Sequence, residues 1–232
     1  MRISVVIPAF NEQNCLGQTL DALRAAIEQC TVPVDVIVVD NESRDDTAKI
    51  ARDAGATVVQ ETVHNVARVR NTGAHAASGD VLVFLDADVL VPPHFVARVV
   101  EQMSAPDCCG GAADVSHQPS SKIVRAYLLG WRVLGRMLGM AQGAAQFCRR
   151  EAYERLGGYN ESLYMGEDVD FYWRLRKLGS VAFLRDVQVV ASPRRFDRWP
   201  LWRTLLWTNP LFILVFRKSP RAWRQWYEHP PR

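Results

Sequence analysis

The apolar residues of this chain follow two alternating patterns. Short runs rich in valine and isoleucine occupy 3–7, 34–39, 57–59 and 81–85. Runs of that length without polar alternation predict strands covered on both faces. Between them the period changes. Leu16, Leu20, Leu23 and Ile27 recur at spacings of four, three and four, which places them on one face of a helix, with Asn11 as its expected cap. Segments 47–54 and 66–77 fit the next two crossovers, stopped by Gly55 and by Ser78 with Gly79. Strand and helix alternating in this way predict an α/β fold, a doubly wound, mostly parallel sheet with helices on both faces.

Past residue 90 the pattern continues with different punctuation. Pro92 and Pro93 open a predicted helix carrying Phe95, Val96, Val99, Val100 and Met103. A strand is expected over 108–115. A helix follows over 122–140, where Ile123, Tyr127, Leu128, Trp131, Leu134 and Leu138 keep helical spacing. Arg125, Arg132 and Arg136 are seven and four residues apart, so they stack on one face of that helix, which is expected to meet an anionic surface. Gly157 and Gly158 interrupt the chain before a helix at about 167–177, which Gly179 closes, and 181–190 completes the core. One domain is expected over 1–193, followed by an amphipathic tail over 194–232.

The length of 232 residues with 48% hydrophobic content suits one sizeable core and not two. Five cysteines without a CxxC pair or a zinc-like arrangement suit a reducing cytosol. The first residues offer no apolar segment of the kind that directs export, so the expected location is cytoplasmic, peripheral at the cytoplasmic face of the membrane at most. The net charge of +3 is unevenly placed. From Arg194 onward there are nine Lys/Arg against two Asp/Glu, and five of the seven tryptophans. Basic residues mixed with tryptophan point to a membrane interface and away from nucleic acid. Within 199–216, Arg203, Asn209 and Pro210 interrupt the apolar run, which predicts an interfacial or re-entrant segment and not a spanning helix.

Three acidic groups carry candidate chemistry. Asp40 ends a buried strand, where an open parallel sheet binds its ligands, whereas Asp45 and Asp46 suffice as helix caps. Asp86 and Asp88 follow the apolar run VLVFL. Two hard carboxylates at a strand tip suit Mg²⁺ or Mn²⁺ set against a diphosphate. Glu167, Asp168 and Asp170 crowd the start of a helix. Three acids exceed what the helix dipole needs, and Asp170 can pair with Arg174 one turn on. The five histidines are scattered. No GxGxxG, GxSxG or P-loop is present, which argues against dehydrogenase, hydrolase and NTPase chemistry.

The segments PAFNE at 8–12, VVDNESRDDT at 38–47, RNTGAHAASGD at 70–80, FLDAD at 84–88, FCRREAYERLGGYNE at 147–161 and GEDVDFYWRLRKLG at 166–179 occur together and in order. With these the chain resembles a family 2 glycosyltransferase of the GT-A fold. The resemblance implies inverting transfer from a nucleotide-diphosphate sugar onto a hydroxyl acceptor; a UDP-sugar is the expected donor, and the basic tail with the arginine face of the 122–140 helix suggests a lipid-linked acceptor at a membrane surface. The resemblance also implies donor contacts at Pro8, Glu12, Asp40, Arg70 and Asp86, a metal at Asp86 and Asp88, and the base at Asp168, with Glu167 orienting the acceptor. Two departures stand out: Val69 where alanine is usual, and Arg194 with Arg195 where many relatives place a metal-binding histidine. Those arginines fit either a diphosphate contact or a solvated basic surface. Two rivals remain. A sugar nucleotidyltransferase would need a glycine-rich basic loop near the N-terminus, which is missing. A non-catalytic sugar-nucleotide or membrane scaffold would have no need of the acidic pairs at 86 and 88 and at 167 and 168.

Overall fold

The computed structural model describes residues 1–140 and 143–223. Its first part is the doubly wound pattern expected from the apolar runs. β1 (Ile3–Ala9), β2 (Val34–Asp40), β3 (Thr57–Gln60) and β4 (Val81–Leu85) are parallel, in the spatial order β3-β2-β1-β4. They are joined by α1 (Leu16–Glu28), α2 (Thr47–Asp53) and α3 (Val66–Ala76). Both sheet faces are covered. Ile3, Val5 and Ile7 pack with Leu16, Leu20 and Leu23 of α1, while Val6, Ile37 and Val39 face Ala67, Val69 and Ala74 of α3. Gly73 lets α3 approach this closely, since a Cβ there would lie 2.3 Å from Val6 Cγ1.

The remainder of the sheet is mixed. After β5 (Val89–Leu90) and α4 (Phe95–Met103) come β6 (Cys108–His117), α5 (Lys122–Met137), β7 (Ala145–Arg149), α6 (Arg150–Leu156), α7 (Glu167–Leu175) and β8 (Ser180–Ala191). β7 inserts antiparallel between β4 and β6, β8 lies parallel to β6, and β5 pairs antiparallel with β8 at the edge. β7 and β5 escape the sequence pattern, β7 because AQFCR is not a continuous apolar run and β5 because it is only two residues long. On the α3 face, Tyr153 of α6 and Phe171 of α7 close over Phe84, with Tyr159 and Phe171 stacked 4.3 Å apart.

Two local expectations are corrected. Asn11 does not cap α1, which begins at Leu16 after Cys15; instead Asn11 adopts a positive φ of 53° and its Oδ1 accepts from Arg44 N, stitching the β1 loop to the β2 loop. Two of the three arginines of α5 do not contribute to a basic face for an outside surface. Arg132 and Arg136 both bind the buried carboxylate of Asp114 on β6, and Arg125 donates to Pro119 O. A carboxylate buried in a sheet needs opposite charge nearby, and α5 supplies it.

Beyond β8 the chain forms three short helices, α8 (Arg194–Arg198), α9 (Leu201–Trp207) and α10 (Pro210–Phe216). Asn209 caps α10 through Leu211 N and Phe212 N, with Pro210 at its first position, so the residues that interrupt the apolar run also break the helix. No helix among the described residues is long and apolar enough to cross a membrane.

Candidate active site

The carboxyl ends of β1 and β4 open on one edge of the sheet, where helices α3, α7 and α8 meet them around a cleft of about 270 Å³. Pro8, Glu12, Arg70, Asp86, Asp88, Glu167 and Asp168 all line it. Residues separated by up to 160 positions therefore line one cleft, as the sequence motifs imply. Asp40 does not line it. Its buried carboxylate accepts from Ser43 N at 3.1 Å and Gln60 Nε2 at 2.9 Å, holding the turn after β2, and the neighbouring Asn41 reaches the cleft instead.

Arg70 organises the floor. It stands on α3, only 3% exposed, donating from Nη1 to Glu167 Oε1 at 2.7 Å and from Nη2 to Asp86 Oδ1 at 2.8 Å. Its guanidinium lies 5.3 Å from the centre of the Tyr159 ring. One cation thus ties α3, the β4 turn and α7 together. Removing one member of such a buried set would strand the other charges, which is strongly unfavourable.

Burial pushes the carboxyls of Glu167 and Asp168 above the usual carboxylate range, and the positive charge of Arg70 opposes this. Their surroundings differ. Glu167 is bound by the guanidinium, whereas among the described residues Asp168 accepts hydrogen bonds from backbone donors only, Gly143 N at 2.6 Å and Val169 N at 2.8 Å. Gly143 permits that contact, since a Cβ there would lie 2.6 Å from Asp168 Cβ. Asp170 pairs with Arg174 at 2.8 Å, as the one-turn spacing predicts.

A second ion cluster faces the first. Arg194, at the start of α8, donates from Nη2 to Glu12 Oε1 at 2.5 Å and to Asp88 Oδ2 at 3.1 Å. Burial raises Glu12 to about 7, against the pull of Arg194, and raises Asp88 in the same sense. Glu12 Oε2 is buried with no hydrogen-bond partner among the described residues. Of the two roles open to Arg194 from the sequence, a solvated surface is therefore the wrong one, because it reaches back 182 residues into the cleft. Its position directly after the last core strand was the available signal.

Asp86 and Asp88 are held by different arginines, and the described residues contain no group of three or more side chains suited to a metal. The donor set still fits a hard divalent cation. Both carboxylates line an open cleft, and such an ion accepts substrate phosphate oxygens and water for its remaining positions.

Comparison with known proteins gives a consistent picture. Residues 4–157 match the family described as Glycosyl transferase family 2. An undecaprenyl-phosphate 4-deoxy-4-formamido-L-arabinose transferase from Pseudomonas fluorescens (strain SBW25) is 40% identical over 111 residues, covering 43% of this chain and 31% of that protein. The chain thus spans about a third of that relative's length. A mannosyltransferase from Pyrobaculum calidifontis, solved with GDP-Man and Mn²⁺, superposes with a TM-score of 0.63 at 25% identity, over 81% of this chain and 56% of that one. Glucosyl-3-phosphoglycerate synthase from Mycobacterium tuberculosis, solved with Mn²⁺ and UDP-Glc, shares the fold with a TM-score of 0.62 at 21% identity, over 93% of this chain and 78% of that one.

Proposed function

This chain belongs to glycosyl transferase family 2, and we propose that it moves a sugar from a nucleoside-diphosphate donor, UDP-linked in the first instance, onto a lipid-linked acceptor at a membrane surface, with inversion. The observation that carries this reading is the convergence of Pro8, Glu12, Arg70, Asp86, Asp88, Glu167 and Asp168 on one cleft at the carboxyl end of a parallel sheet. The lipid acceptor draws support from the relative named for undecaprenyl phosphate. The nucleotide draws support from solved neighbours described with GDP-Man and UDP-Glc.

In this mechanism the donor lies in the cleft with its diphosphate towards Asp86 and Asp88, which would hold Mg²⁺ or Mn²⁺. Such an ion offsets the charge that develops on a departing diphosphate. Arg70 fixes the separation between Asp86 and Glu167, so the two ends of the site do not drift during transfer. Asp168 takes the proton of the attacking acceptor oxygen, whether hydroxyl or phosphate monoester, as that oxygen approaches the anomeric carbon opposite the leaving group. Asp168 suits this role better than Glu167. It can become neutral without breaking a hydrogen bond to a charged group, since its described donors are backbone N–H groups, whereas a neutral Glu167 would weaken its direct pairing with a buried guanidinium.

The purified protein incubated with Mn²⁺, a prenyl phosphate and a panel of UDP-, GDP- and dTDP-sugars tests the reading. The expected result is one glycosylated lipid product, lost in EDTA and restored by Mn²⁺. Full activity in EDTA removes the metal assignment, and no transfer from any donor removes the proposed reaction.

A further inference from the structure

A second cavity, of about 330 Å³, lies between the end of β6, Gln188 of β8 and the side of α5 that carries Arg125, Leu129 and Arg132. Its lining is amphipathic, with Ser116, His117 and Arg125 on the polar part and Leu128, Leu129 and Trp131 on the apolar part, and among the described residues no carboxylate lines it. Arg132 also lines it, but its charge is met by Asp114. Arg125 donates to Pro119 O at 2.9 Å and has no ion pair among the described residues. Ser116 is 7% exposed, and its Oγ has no hydrogen-bond partner there. A buried hydroxyl left unpaired costs roughly 1–3 kcal/mol, a cost that a polar ligand group in the cavity would remove.

The cavity borders the cleft. His117, at the end of β6, meets the Phe196 ring edge-on at 5.2 Å, and Phe196 is two residues from Arg194, which reaches Asp88. Ser120 N donates to Asp197 Oδ1 at 2.7 Å, so α8 lies against the end of β6 where the two spaces adjoin. Burial, and then the charge of Arg195, hold the His117 imidazole down at about 4, which makes it a neutral hydrogen-bonding group at physiological pH on the lining it shares with Arg125.

We propose that this second cavity takes an amphiphilic monophosphate, its phosphate on Ser116, His117 and Arg125 and its apolar chain against Leu128, Leu129 and Trp131. The inference rests on the lipid-linked acceptor proposed above and assigns that acceptor a place. An arginine without a partner acid supplies charge, the serine hydroxyl supplies a short-range donor, and the leucines supply an exit for the chain. A long polyprenyl tail exceeds the cavity, so its remainder lies over the exposed side of α5, where Leu129 and Val133 are open to solvent.

Farnesyl phosphate, farnesol and inorganic phosphate, each titrated into the full chain and followed by calorimetry, distinguish the possibilities. Farnesyl phosphate is expected to bind at least about tenfold more tightly than either part alone. Arg125→Met and Leu129→Asp are each expected to weaken it about tenfold, with UDP affinity unchanged as a check that the fold is intact. Ser116→Ala is expected to weaken it as well without lowering the melting temperature, because the alanine leaves no unpaired hydroxyl. If farnesyl phosphate binds but ignores all three substitutions, the cavity assignment is overturned while the lipid-phosphate reading survives. If inorganic phosphate binds as tightly as farnesyl phosphate, the site is one for free anions and the amphiphile is wrong. If farnesyl phosphate does not bind while the protein glycosylates another acceptor, both the cavity and the lipid-phosphate reading fall.

Discussion

Asp168 and Glu167 are adjacent in sequence and chemically unequal. The oxygens of Asp168 accept from Gly143 N and Val169 N, while Glu167 is locked to Arg70. Replacing Asp168 by Asn removes the basic oxygen but leaves Glu12, Arg70, Asp86 and Asp88 in place. The expected outcome is donor binding within a few-fold of the parent and transfer slowed by roughly 10²- to 10⁴-fold, the usual range for a lost general base. Calorimetry with the nucleotide and a transfer assay separate the two effects. Near-parental transfer by Asp168→Asn, with Glu167→Gln inactive, moves the base to Glu167. The pH profile offers a second check. Burial raises Asp168, so its basic form is lost on acidification at a pH above the ordinary carboxylate value of about 3.9, and the acid limb of the rate should lie correspondingly high.

At the scale of elements, α3 shows how closely packing is specified. A Cβ on Gly73 would lie 2.3 Å from Val6 Cγ1 and 2.8 Å from Val39 Cγ2, both on buried strands. Alanine in a helix interior gains about 1 kcal/mol over glycine, and overpacking a core costs about 1–3 kcal/mol. The clash involves stiff β-branched side chains, so overpacking wins. Gly73→Ala is expected to lower stability by about 1–2 kcal/mol in urea unfolding, and Val6→Ala in the same protein should recover part of that loss; additive effects in the double-mutant cycle would mean the clash is not the cause. The elements also differ in how far they can be read from the chain. β1, β2 and β4 are legible because burial on both faces leaves short stretches dominated by valine, isoleucine and leucine. β7 is not, because AQFCR has no apolar periodicity and its place between β4 and β6 is decided by distant partners. The site follows the same division. Asp86, Asp88 and the acids of α7 sit at element ends that local pattern locates. The orientation of Asp40 depends on Gln60 in another strand, the partner of Arg132 and Arg136 lies on β6, and the reach of Arg194 to Glu12 spans most of the chain. Local sequence carries no record of such pairings.

At the scale of the whole molecule, the apolar surface is concentrated on the late helices. Trp202, Leu211, Leu214 and Val215 are between 60% and 71% exposed, and Ile123 and Met137 of α5 are similarly open. Tyr127 of α5 bonds to Thr208 at the end of α9 at 2.8 Å, so these helices adjoin. Arg203 lies over the rings of Trp199 and Trp207, which keeps its charge beside aromatic groups suited to an interface. Since α9 and α10 have seven residues each, they are far too short to span a bilayer of about 30 Å but long enough to lie in its surface. Basic residues near an anionic surface contribute about 1 kcal/mol each, and salt screens that contribution. The protein is therefore expected to co-sediment with phosphatidylglycerol-containing vesicles at low ionic strength, to be partly released by 0.5 M salt, and to lose most binding when Leu211 and Leu214 are both changed to aspartate. A membrane contact built on the tail requires that the double substitution spare transfer to a water-soluble short-chain acceptor, because neither leucine lines the cleft. Vesicles that leave the parent protein in solution at low salt, or that bind the double variant equally well, would sink the membrane assignment and direct the exposed helices to a protein contact, which sizing of the parent protein would then reveal as a larger assembly.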